Sequence, residues 1–277
     1  MERRRFLQRS GLAVAGGAGV LVPAHVIADP AAERTAVQEE EQPQRVLVTA
    51  AETRLAQTVA DGLAATWQVL LTAATEISIS RPFRRCGLEA DESTRDLVRG
   101  MDAIVHLALA GTERSPGDEI DGLVRATYNL LTAAAAEGVR RVVHVSSLAA
   151  LRGYDEAFTV TEDWRPRPGD DAPALAEYLA ESTSREFARQ RQLEVVVLRI
   201  GTVVRAESIA GDAFDPLWVD ERDVAQAVAL ALPMSPPASA RGTAGWTVFH
   251  ILSDSPRARF SIDKARQRLG YQPQHRW

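Results

Sequence analysis

Beyond residue 44 the chain alternates short, unbroken apolar bursts with longer stretches of helical periodicity. A parallel sheet covered by helices on both faces satisfies that pattern. The bursts are Val46-Leu47-Val48, Val69-Leu70-Leu71, Ile104-Val105-His106-Leu107, Val142-Val143-His144-Val145 and Val195-Val196-Val197-Leu198. Because they are continuous rather than alternating, they predict strands buried on both faces. Helices are expected at 54–65, 91–99, 117–137 and 173–190. The last has Pro173 in its first turn, where the missing N–H does no harm, while Gly100 and Gly138 stand where two of the others should end. Past Gly201 come a helix at 220–231, a strand at 247–252 and a helix at 262–269. The expected architecture is α/β, a doubly wound parallel sheet whose smaller C-terminal part, 201–277, packs at the C-terminal ends of the strands, where such sheets bind ligands.

Composition narrows the function. The 277 residues carry a formal charge of −5, and of 32 basic residues only Lys264 is lysine. An acidic balance argues against nucleic acid as a partner, since neutralising phosphates takes a surplus of Lys and Arg. A single cysteine, Cys86, excludes an internal disulfide and any CxxC site. The five histidines, at 25, 106, 144, 250 and 275, show no metal-ligand spacing, so no metal is expected. At the start, Arg3, Arg4, Phe6 and Leu7 precede a stretch from Ser10 to Ala28 without formal charge, which resembles a bacterial twin-arginine export signal. Cleavage after Ala28 is expected, giving a periplasmic or extracellular protein. Four glycines, Pro23 and His25 oppose a spanning helix, so no stable membrane insertion is expected after cleavage. Losing residues 1–28 removes Glu2 and four arginines and takes the charge from −5 to −8. Residues 29–44, with Glu39-Glu40-Glu41, read as a disordered acidic linker, which leaves 45–277 as the folded domain.

Several separated segments of that domain carry a family resemblance. They are Val46-Leu47-Val48-Thr49, the run Gly100-Met101-Asp102-Ala103-Ile104-Val105-His106-Leu107-Ala108, Thr127-Tyr128-Asn129-Leu130-Leu131, and Val143-His144-Val145-Ser146-Ser147. Thr161-Glu162-Asp163, Tyr178 with Glu186, Leu198-Arg199-Ile200-Gly201 and Asp223-Val224-Ala225 follow in order. Together they resemble the extended short-chain dehydrogenase/reductase superfamily of the NAD-dependent epimerase/dehydratase type. The resemblance implies a Rossmann-like fold, NAD or NADP as cofactor, and oxidoreductase or epimerase chemistry on a small, sugar-like substrate. It also implies a homodimer through the helices at 117–137 and 173–190, although the alanine run 133–136 packs equally well against the chain's own sheet.

The implied site departs from the family pattern. A GxxGxxG turn would place glycines at Ala50, Thr53 and Ala56, and all three are missing. Any such position needing φ > 0 costs a non-glycine residue roughly 1 kcal/mol or more, and Glu52 would repel phosphate. Arg54, beside Leu55, either meets a phosphate or lies on a solvated helix face. The ribose-binding acid finds only Glu76, displaced along the chain, and the adenine-side Asp-Leu pair reads Gly87-Leu88. His106 and Ala108 match a segment that lines the cofactor through backbone and packing. For catalysis, the Ser, Tyr and Lys of the family fall on Ser146 or Ser147, on Tyr178, and on Ser182, four residues after the tyrosine. Without the lysine, a tyrosine with pKa near 10 is a poor base at neutral pH; Arg185 could stand only as a remote cation. Tyr178 is either a substrate contact or an aromatic covering apolar surface, and the two serines either meet ligand or cap a turn. These losses imply weak or lost cofactor binding, with an inactive binding scaffold as the alternative to a divergent enzyme.

Overall fold

The structure, a computed structural model, describes residues 44–276 except 111–114, 210, 212, 214, 236–243 and 256. The export segment, and the linker apart from Gln44, lie outside the described residues. Strand β1 (Arg45–Val48) leads to α1 (Arg54–Leu63), β2 (Gln68–Ala73), β3 (Phe83–Arg85), α2 (Glu92–Val98) and β4 (Ala103–Leu107). Then come α3 (Pro116–Ala136), β5 (Arg141–Ser147), a 3₁₀ turn at Leu148–Leu151, α4 (Ala172–Arg189) and β6 (Glu194–Ile200). The chain ends with β7 (Thr202–Val204), β8 (Trp218–Asp220), α5 (Glu221–Ala231), β9 (Trp246–Ile251) and a π turn at Ala265–Leu269.

Seven strands form one parallel sheet in the order β3-β2-β1-β4-β5-β6-β9. Strand order reverses between β1 and β4, and the crevice outside the C-terminal ends of those strands is where this architecture takes ligands. The sheet separates two apolar cores. On one face α1 and α5 bury Val59, Leu63, Val224 and Val228 against Val48, Val145 and Leu198. On the other α2, α3 and α4 bury Leu97, Leu130, Leu131 and Ala188 against Ile104, Val142 and Val197. Apart from the half-buried Leu70, the strand bursts are buried on both faces, the condition that made them continuous in sequence.

Two features differ from expectation. The short edge strand β3 carries Arg84 and Arg85, both exposed, and so offers no apolar run to read. The C-terminal part does not stand apart as one subdomain. Its β9 completes the sheet beside β6, and α5 packs on α1; only the parallel pair β7–β8 continues beyond the C-terminal end of β6. Gly201 makes that exit, lying against the Leu217 carbonyl with no room for a side chain. Among the described residues no helix is long and apolar enough to cross a membrane.

Candidate active site

The turn between β1 and α1 keeps its shape without its glycines. Ala50 has φ +57, the left-handed region that a glycine would adopt freely. The Thr53 hydroxyl caps α1, accepting from the Ala56 N–H at 3.2 Å and donating to the Ala50 carbonyl at 2.8 Å. Ala56 is fully buried against the sheet, whereas Glu52, Thr53 and Arg54 are exposed, so the mouth of the turn faces solvent. The first turn of α1 carries no acid, which leaves its N-terminal dipole available to an anion. The backbone thus fits a dinucleotide pyrophosphate, against the two added side chains at Ala50 and Thr53 and the charge of Glu52.

Several expected cofactor contacts sit elsewhere. Arg54 turns toward α5, its Nε 3.2 Å from Glu221, which also takes Arg205 at 2.7 Å. It is exposed, but an internal ion pair holds it. Leu55 is buried in the core beneath α1 rather than lining the turn. The His106 ring is buried between β4 and α3. Its Nδ1 meets the Thr49 hydroxyl at 3.1 Å and its Nε2 meets the Thr127 hydroxyl at 2.9 Å. Thr127 donates onward to the Leu123 carbonyl, and Thr49 accepts from the Leu107 N–H. That chain of donors assigns the proton of His106 to Nε2. Ala108 is fully buried and donates its N–H to the Val145 carbonyl.

A second cluster lies across the crevice. Ser147 ends β5, accepting from the Ala149 N–H at 3.0 Å and donating to the carboxylate of Glu177. Glu177 also accepts from the Ala110 N–H at 3.0 Å, so one carboxylate joins the loop after β4, the end of β5 and the start of α4. It is only 7% exposed. Burial pushes its carboxyl up to about 7, outweighing the Ala110 amide, the Ser147 hydroxyl and the charge of Arg152, which all pull it down; Asp171 at the head of α4 adds to the rise.

Tyr178 does not enter this cluster. An α-helix turns about 100° per residue, and the residues that α4 buries against α3 and the sheet are Ala174, Ala176, Glu177, Ala180, Glu181, Ser184 and Ala188. Tyr178 and Ser182 stand on its half-exposed flanks, and Arg185 and Glu186 are exposed. On the inward face the same four-residue spacing is held by two acids, Glu177 and Glu181, one residue before Tyr178 and Ser182. Glu181 grips the Arg199 guanidinium with both oxygens, at 3.0 Å from Nε and 2.6 Å from Nη2. Ser146 points inward as the register partner of Arg199, is 1% exposed, and its hydroxyl has no hydrogen-bond partner among the described residues. Lys264 lies with its Nζ 5.4 Å above the Phe249 ring. The small residues Ala174, Ala180, Ser184 and Ala188 marked the inward face in the sequence.

With this geometry in hand, the relatives are informative. The chain is 24% identical over 200 residues to the NAD-dependent glucose-6-phosphate dehydrogenase of Haloferax volcanii, covering 66% of this chain and 72% of that one. In structure it resembles glucuronic acid dehydrogenase from Chromohalobacter salexigens, with TM-score 0.70 and 23% identity over 84% of this chain and 85% of the other. A short-chain dehydrogenase/reductase superfamily protein from Agrobacterium tumefaciens with bound NAD also gives TM-score 0.70, at 21% identity over 84% and 93%. Nothing among these relatives supports an inactive scaffold. Residues 34–215, about two thirds of the sequence, match a single family description, and the chain belongs to the NAD dependent epimerase/dehydratase family.

Proposed function

We propose that the protein is a NAD(P)-dependent oxidoreductase acting on a sugar or sugar acid, with the dinucleotide held weakly. The observation that carries this reading is the retained turn at the strand-order reversal, where Ala50 accepts a left-handed backbone at a cost of roughly 1–2 kcal/mol. A conformation of that cost persists where the surroundings require it. Residues 50–53 and the first N–H groups of α1 would hold the pyrophosphate. Bound there, a nicotinamide exchanges a hydride with the substrate carbon. The chain's own part is to orient the substrate hydroxyl at Ser147 and to exchange its proton at the end of β5. Relatives named for glucose 6-phosphate and glucuronic acid support a sugar-like substrate.

The test is a titration of the purified protein with NAD⁺, NADH, NADP⁺ and NADPH, following thermal stability. Ligand at 100 times its Kd adds about 2.7 kcal/mol of stability, so weak binding shows as a shift that grows through the millimolar range. Ala50→Gly with Thr53→Gly should move that curve to lower concentration by removing the two side chains that crowd the pyrophosphate. No shift with any of the four dinucleotides, in either protein, overturns the proposal.

A further inference from the structure

We propose that Glu177 is the proton-transfer residue of this site, with Ser147 as its hydrogen-bonding partner, in place of a tyrosine and lysine pair. The inference rests on the oxidoreductase reading and deepens it. Its basis is the placement of α4. The inward face brings Glu177 to the end of β5, where it is fixed by Ser147 and the Ala110 amide, while Glu181, one turn on, is already committed to Arg199. Of the two carboxylates at this spacing, Glu177 is the one left for chemistry.

The missing lysine at Ser182 and a proton-transfer acid at Glu177 are chemically consistent. A tyrosine near pKa 10 must be brought down to act at neutral pH, and a cation one helical turn away does that. A carboxylic acid must instead be brought up, which burial does and a nearby cation would undo. A lysine at position 181 would hold Glu177 ionised and weaken it as an acid. The charged groups facing Glu177 among the described residues are Arg152 from the segment after β5 and Asp171 from the head of α4, one of each sign. The Glu181–Arg199 pair below it is internally neutralised. Desolvation therefore dominates, and the carboxyl titrates near neutrality.

The step balances as follows. The substrate O–H bond breaks and its proton passes to the Glu177 carboxylate. The C–H bond on the same carbon gives up its hydride to an oxidised nicotinamide dinucleotide, and the C=O double bond forms. The dinucleotide leaves reduced, and Glu177 loses its proton to water; reduction of a carbonyl runs the same path backwards.

Two measurements test this. In the first, the protein labelled with ¹³C at glutamate carboxyls is titrated by NMR, with Glu177→Gln to assign the signal. A carboxyl titrating near pH 7 that is missing from the variant and moves when D-glucuronate is added supports the proposal; one that titrates near the ordinary glutamate value, or ignores the sugar acid, overturns it. In the second, NAD⁺-dependent oxidation of D-glucuronate and of D-glucose 6-phosphate is followed against pH. Glu177→Gln should lower kcat by at least about 100-fold and abolish the limb of the kcat/KM profile near pH 7, with Glu177→Asp partly restoring both. Tyr178→Phe should leave rate and profile unchanged. Thermal stabilisation by NAD⁺ should persist in all three variants, which shows that they fold. A Glu177→Gln enzyme that keeps its rate and limb, or a Tyr178→Phe enzyme that loses them, overturns the proposal. If the wild type oxidises neither probe, the NMR titration alone decides. If no dinucleotide binds, the oxidoreductase reading fails on the cofactor titration, independently of what Glu177 does.

Discussion

Replacing Glu181 by leucine tests whether the carboxylate one helical turn beyond Glu177 is held as part of the core. The pair it forms with Arg199 has both side chains almost fully buried, at 7% and 5% exposure, and two short parallel contacts. The third guanidinium nitrogen, Nη1, is buried without a partner among the described residues. Removing the glutamate strands the charge of Arg199 in apolar surroundings, and breaking a buried pair in this way costs about 3–5 kcal/mol. That is a third or more of the stability of many domains, about 5–15 kcal/mol. With a urea m-value of about 3 kcal/mol/M, the unfolding midpoint should fall by roughly 1–1.7 M. The double variant Glu181→Leu with Arg199→Met removes both charges together with the unsatisfied Nη1. It should return to within about 1 kcal/mol of the wild type, because an apolar pair of similar volume is often neutral or better. Glu181→Lys should destabilise more than leucine because two cations then meet in the core. Urea denaturation followed by circular dichroism reads all three. A loss below 1 kcal/mol for Glu181→Leu, or a double variant as damaged as the sum of its parts, refutes the reasoning.

Two further outcomes follow from the same structure. Gly201→Ala should cost about 3 kcal/mol or more, since its Cβ would collide with the Leu217 carbonyl and the Leu252 side chain at the exit from β6; an unchanged melting temperature would show that β7 can move aside. Stability should fall as pH drops from about 6.5 toward 3. His106, His144 and His250 are held neutral by burial, with pKa values pushed down to about 3, so in that window the unfolded chain binds more protons than the folded one. Each contributes a slope of up to about 1.4 kcal/mol per pH unit. Glu177, pushed up to about 7, acts with the opposite sign between its ordinary value and 7 and offsets about one histidine. Urea midpoints at pH 7, 6 and 5 measure the balance, and a flat profile contradicts it.

The layout of the fold was legible because burial on both faces leaves a strand no freedom to alternate. Val46–Val48 and the bursts at β4, β5 and β6 could be read directly, and α3 and α4 lie within a residue of expectation. Strand β3 was not legible because its pairing with β2 needs only backbone groups, while Arg84 and Arg85 face solvent. The site was legible in its place, the C-terminal edge beside Ala50 and Ser147, whereas the buried Glu177 was not read. Tyr178 and Glu177 are neighbours in sequence but about 100° apart around the helix, and residue type drew the reading to the tyrosine alone. The burial pattern of α4 separates them because it follows the sheet, not the chemistry expected of it. His106 shows the same limit in reverse: its match to the family segment reflects a buried hydrogen-bond chain through Thr49 and Thr127, not contact with a ligand.

The residues at this edge differ in how far they bind the site to the fold. Ala50 lies beyond Val48, the last paired residue of β1, so its strained backbone can be relieved by glycine without disturbing the sheet. Glu177 is tied to the ends of β4 and β5 only by hydrogen bonds from Ala110 and Ser147, and its replacement should change chemistry more than stability. Glu181 is different, because Arg199 sits within β6 in register with Ser146 on one side and His250 on the other. A carboxylate there is required by the guanidinium it neutralises, so Glu181 belongs to the fold, whereas Ser182, where the resemblance places the lysine, stands on the half-exposed flank of α4. Of the two acids that α4 turns inward, Glu177 is therefore the one proposed for proton transfer.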